Sequence, residues 1–125
     1  MSALVDQLGG LAASGSSAVA VTEVAAVVVG PVDLQRFDRF TVYIYNAGGG
    51  SADALSNVTL QSAPENVEAL YADIDTAVLA APLAAAGVAI KSFSTKSLKY
   101  VRLTAACAAA DDSTARFWIS AGADL

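Results

Sequence analysis

The chain reads as an all-β domain, an antiparallel β-sandwich or jelly roll of about seven or eight strands preceded by an N-terminal arm. Short runs of apolar residues with period two recur from residue 18 onward, the pattern of half-buried strands. Turn residues punctuate these runs at intervals of roughly 8–14 residues. No long amphipathic helical stretch separates them, as a parallel α/β fold requires. Turns at this spacing favour antiparallel neighbours, and jelly-roll and immunoglobulin-like topologies both remain open.

The elements follow in chain order. Residues 1–17 stand apart. Leu4, Leu8 and Leu11 are spaced as on one face of a short helix, which Gly9 and Gly10 interrupt, and the linker-like ASGSS follows. This stretch is either a frayed end or an arm that packs its leucines onto a neighbouring subunit. The expected division is an arm over 1–17 and a sandwich over 18–125. In SAVAVTEV, Val19 and Val21 share a face, and the apolar run EVAAVVVG ends at Gly30-Pro31, a turn signal. RFDRFTVYIYN is the clearest strand: Phe40, Val42 and Ile44 alternate with Arg39, Thr41, Tyr43 and Tyr45. NAGGGSAD is a connecting loop. LSNVTLQS alternates Val58 and Leu60 against polar residues, and VEALYAD is a short strand or a helical turn. VAIKSFS carries Val88 and Ile90 on one face. LKYVRLTAACA sets Val101, Leu103, Ala105 and Cys107 against Tyr100, Arg102, Thr104 and Ala106. After a turn at Ala110–Ser113, ARFWISA sets Phe117 and Ile119 against Arg116, Trp118 and Ser120. The expected core is Phe40, Val42, Ile44, Val58, Leu60, Val88, Ile90, Val101, Leu103, Phe117 and Ile119.

Composition bounds the function. The chain has 125 residues, suited to one domain. Charged residues are 15% and apolar ones 55%, against about 25% charged in ordinary domains. So little charge favours an oligomer or a docked surface; a high alanine content, which inflates apolar counts harmlessly, is the other explanation. The net charge of −5 and seven dispersed basic residues argue against nucleic acid and against an anionic membrane. The N-terminus lacks the basic and apolar regions of a secretory signal, so assembly in a cytoplasm is expected. The apolar stretch 76–90 is short for a membrane span and is interrupted by Pro82 and Gly87.

Catalytic and metal chemistry find few candidates. With no histidine, nucleophile–histidine catalysis is excluded. One cysteine, Cys107, can neither form an internal disulfide nor build a zinc site, and it reads as a small buried hydrophobe. Asp73 with Asp75, and Asp111 with Asp112, lack the ligand spacing of a calcium loop and read as turn chemistry. No enzyme, cofactor or metal is expected.

The outward positions of the clear strands hold more. Tyr43, Tyr45, Tyr100 and Trp118 alternate away from the expected core, four of the nine aromatic residues of the chain. Arg102 and Arg116 accompany them. Such residues suit a protein interface, a second internal cluster or a stacking platform for sugar rings.

The strands FDRFTVYIYN and LSNVTLQS and the run SLKYVRLTAACAAADDSTARFWIS resemble small β-sandwich proteins of tailed-phage virions, the capsid decoration (cement) proteins. The resemblance covers about two-thirds of the chain. It implies a virion protein, assembled in the host cytoplasm, that sits as a trimer on the outside of a capsid lattice. Its partners would be the major capsid protein or other virion subunits, held by an arm or a strand edge. Leu4, Leu8 and Leu11 are then candidates for shell contact, and Tyr43, Tyr45, Tyr100 and Trp118 for contact between subunits. The KYVRLT phrase is also similar to strands of carbohydrate-binding sandwiches. The alternative expectation is therefore a sugar-binding module with Trp118 as its platform.

Overall fold

A computed structural model of the chain describes residues 18–34, 37, 39–48, 54–94, 98–108 and 113–122. The expected arm, with Leu4, Leu8 and Leu11, and the Asp111–Asp112 pair lie outside the described residues.

Among the described residues eight strands form two sheets: β1 (Val19–Val21), β2 (Ala26–Asp33), β3 (Arg39–Gly48), β4 (Leu55–Ala63), β5 (Ala72–Asp75), β6 (Val88–Ser94), β7 (Tyr100–Cys107) and β8 (Ser113–Gly122). The first sheet has the order β1-β8-β3-β6 and the second β2-β7-β4-β5, and every pair is antiparallel. The first half of the chain pairs with the second in reverse: β1 with β8, β2 with β7, β3 with β6, β4 with β5. The chain is thus a long hairpin folded at the β4–β5 connection and rolled up, so that β3 also meets β8 and β4 also meets β7. That is the jelly roll, the topology the alternation pattern left open.

The core lies between the sheets. Phe40, Val42 and Ile44 of β3 and Phe117 and Ile119 of β8 face Val58 and Leu60 of β4 and Val101 and Leu103 of β7, all fully buried. Removing an aliphatic or phenyl side chain of this size from water contributes about 1.5–3 kcal/mol. Cys107 is buried in the same cluster, and its thiol donates to Val21 O at 3.6 Å.

Two expectations are corrected. Val88 and Ile90 are not core residues; both are 63% exposed. In β6 the inward positions belong to Ala89, Lys91 and Phe93. Phe93 stacks on Phe40, centroids 4.9 Å apart, and Lys91 crosses the open side of the sandwich to Asp75. A one-residue slip would bring Ile90 inward but turn both of these out. Gly30-Pro31 is not a turn either. It sits inside β2 as a bulge opposite Arg102, between the pairs Val29–Leu103 and Val32–Val101. β2 is an edge strand, where a proline costs no ladder hydrogen bond. Gly30 has φ +97°, and a Cβ there would lie 2.8 Å from Val101 O. The VEALYAD segment resolves into a 3-10 turn at Glu68–Leu70 followed by β5.

Candidate functional site

The outward side of the first sheet is built by strand register. Residues directly opposite in an antiparallel pair share a face. Tyr43 of β3 lies between Trp118 of β8 and Ile90 of β6, and Tyr45 lies between Arg116 and Val88. Two adjacent rows, Ile90–Tyr43–Trp118 and Val88–Tyr45–Arg116, therefore form one patch. Beside it Thr41 lies between Ser120 and Ser92, and the Thr41 and Ser92 hydroxyls are 2.9 Å apart. Tyr43 is exposed, while Tyr45, Trp118 and Arg116 are half-buried against their neighbours.

Arg116 and Trp118 are two apart on β8 and so share the face. The Arg116 guanidinium lies over the indole, 4.7 Å from its centroid. Arg116 Nε is buried without a hydrogen-bond partner. Among the described residues, the charged side chains at outward positions of β3, β6 and β8 are Arg39 and Arg116, both cationic. Apolar and aromatic area edged by guanidinium is the composition of a protein contact.

The structure thus joins three of the four predicted aromatics, Tyr43, Tyr45 and Trp118. Tyr100 is elsewhere, in β7 of the second sheet, paired with Asp33 and Ala63. Sequence reasoning placed Val88 and Ile90 in the core, yet they are the most exposed large apolar residues of this face. The signal that could have found them is Phe93, whose parity along β6 opposes theirs.

The outward side of the second sheet is organised differently. Arg102 projects from β7 but is only 8% exposed. Its Nε donates to Gln61 Oε1 at 2.8 Å, and its terminal nitrogens donate to both carboxylate oxygens of Glu68, NH2 to Oε1 at 3.1 Å. Its guanidinium stacks on the Tyr71 ring at 3.9 Å. Gln61 in turn donates to Asp73 at 2.8 Å, and the Tyr71 hydroxyl donates to Asn66 at 2.9 Å. The hydrogen bonds from Arg102 hold the Glu68 carboxyl below the usual range, and Glu68 in return raises the Arg102 pKa. Loss of water around the phenol pushes the Tyr71 pKa up. Arg102 therefore clamps the segment around the 3-10 turn onto the sheet, as a bidentate guanidinium–carboxylate pair does well.

The Asp73–Asp75 pair does not converge on a ligand. Asp73 accepts from Gln61, whereas Asp75 binds Lys91 at 2.7 Å and accepts from the Ala77 amide. Among the described residues no cluster of three or more carboxylate or thiol side chains is placed to hold a metal ion, and no helix is long and apolar enough to cross a membrane. Comparison with protein-family models, with curated proteins and with solved structures finds no match to this chain.

Proposed function

We propose that the chain is a virion structural protein, a capsid decoration protein that binds an assembled shell and stabilises it. The observation that carries this reading is the contiguous patch of Val88, Ile90, Tyr43, Tyr45, Trp118 and Arg116 on one sheet face. Exposed apolar patches with aromatic anchors mark contact surfaces. The low charge content and the jelly-roll topology, which viral capsid domains use, support the same reading. The mechanism is passive: binding the assembled shell and not its dissociated parts shifts assembly by mass action. The subunits form a closed oligomer, a trimer, so that several modest contacts act together. The aromatic face serves contact between subunits and the N-terminal residues serve the shell.

The sugar-binding alternative needs an open indole face, and Arg116 already lies over Trp118. That favours a protein partner over a glycan. The test is density-gradient fractionation of a lysate of the source cells, followed with an antibody to the chain. Co-migration with intact shells, lost on deleting residues 1–15, is expected. A chain confined to the soluble fractions overturns the reading.

A further inference from the structure

Between Ala63 and Val78, which are 3% and 5% exposed, no residue is buried. Residues 64–77 carry the 3-10 turn and β5, the edge strand of its sheet. Their large aliphatic side chains, Val67, Leu70 and Ile74, are exposed, and none of the buried core cluster lies among them. β5 pairs with β4 over a short ladder that a register shift between Leu60 and Gln61 interrupts. A segment that buries so little apolar surface has a small share of the hydrophobic free energy that joins β3, β4, β7 and β8.

Its side-chain contacts with the sandwich are polar. Glu68 accepts from both terminal nitrogens of Arg102, whose guanidinium stacks on the Tyr71 ring. Asp73 accepts from Gln61 at 2.8 Å, and Asp75 pairs with Lys91 at 2.7 Å. Lys91 also donates to Ala77 O at 3.1 Å. In each contact the donor stands on the sandwich, on β7, β4 or β6, and the acceptor on the segment. We propose that residues 64–77 form a strap, hinged at the buried Ala63 and Val78 and latched by these contacts, that opens as one unit while the two sheets stay closed. The sandwich that remains keeps its whole core cluster. Opening bares the Arg102 guanidinium and the edge of β4 from 60 to 62, both covered while the strap is closed. This inference is independent of the assembly reading above.

The experiment is residue-resolved amide hydrogen exchange of the full chain at low urea concentrations, for the wild type, Glu68→Gln and Asp75→Asn. The Glu68 side chain is 82% exposed, and urea melts check that each variant is folded. In the wild type the β5 amides should share one opening equilibrium with those of Leu70 and Tyr71, which donate to Val67 O and Glu68 O. That opening should be more frequent than the opening of β3, β7 and β8, with a shallower dependence on urea, because it exposes less surface. Each variant should accelerate exchange about fivefold across the whole strap, so that Glu68→Gln is felt in β5 and Asp75→Asn at Leu70 and Tyr71. Strap amides with the opening frequency and urea slope of β7 would show that the segment opens only with the whole molecule, and overturn the inference. It is equally overturned by acceleration confined to the neighbours of the substituted residue, which is fraying, or by no acceleration in either variant.

Discussion

Asn46 is the polar residue on which most depends. It is fully buried at the end of β3. Its Nδ2 donates to Leu83 O at 2.7 Å, while its Oδ1 accepts from the Gly48 amide at 2.9 Å and from the Ser113 hydroxyl at 2.5 Å. Its backbone also exchanges hydrogen bonds with Ala86 and Gly87. Leu83 is itself bridged to Leu55 of β4, so one side chain joins β3, β8 and the loop that crosses to the second sheet. Truncation takes this partner from the Gly48 amide and the Ser113 hydroxyl, each costing about 1–3 kcal/mol when orphaned, while the Leu83 carbonyl keeps the Leu55 amide. Asn46→Ala should destabilise the fold by about 3 kcal/mol, read as a lower urea midpoint at unchanged slope. The sequence marks Asn46 only as a strand end; Gly48 is two residues on, but Leu83 and Ser113 lie at distant positions that no spacing rule connects. Gly30 is constrained by sterics instead. Gly30→Ala would push a methyl group against Val101 O in a backbone conformation that L residues avoid. The expected loss is about 2 kcal/mol by the same measurement.

The edge strands show how a polar contact can set the direction of a whole element. β5 and β6 are the last strands of their sheets on the same side of the sandwich. Lys91, inward on β6, closes that side by reaching Asp75 and accepting Phe93 beneath it, 5.5 Å from the ring centroid. An inward lysine also makes an edge strand a poor template for pairing with another chain. The Lys91 hydrogen bond holds the Asp75 carboxyl below its ordinary range, as Arg102 does for Glu68. A carboxylate with a depressed folded pKa contributes stability above its unfolded pKa, about 4, and loses it as pH falls through the lower folded value. Urea midpoints should therefore hold steady from about pH 7 to about pH 5 and fall below about pH 4, with a shallower fall in Asp75→Asn. An equally steep fall in that variant would show that the pair contributes nothing. The same lysine explains why alternation points to the wrong face of β6. VAIKSFS holds apolar residues at both parities, and Lys91 on the parity of Phe93 makes the Val88–Ile90 face look like the buried one. The strands without an inward charge, β3, β4, β7 and β8, had their buried faces assigned correctly from alternation.

Across the whole molecule, alternation tells which side of a strand is buried and not which strand lies beside it. The strand count and most of the core were therefore legible, while the rolled hairpin was not: β1 meets β8 at Val19 and Ala115, about three-quarters of the chain apart. The aromatic face was half legible for the same reason, since the outward direction of Tyr43, Tyr45 and Trp118 follows from parity but their adjacency, and the exclusion of Tyr100, follow from pairing. This topology also predicts how the molecule opens. Every strand pair except β4–β5 and β6's contact with β3 joins β7 or β8 to an early strand, so no sheet survives the loss of the C-terminal half. Unfolding should accordingly be one cooperative transition. Cys107 provides the probe. It ends β7 in the core, its amide donates to Thr22 O at 2.8 Å, and it pairs with Leu55. It is shielded on one side by the short edge strand β1. If the jelly roll opens as a unit, labelling of the thiol by a small disulfide reagent should be slow in water and accelerate with urea as steeply as global unfolding does. Labelling that is fast and insensitive to urea would instead mean that β1 detaches by itself. The sandwich would then keep its centre while exposing the margin that β1 covers.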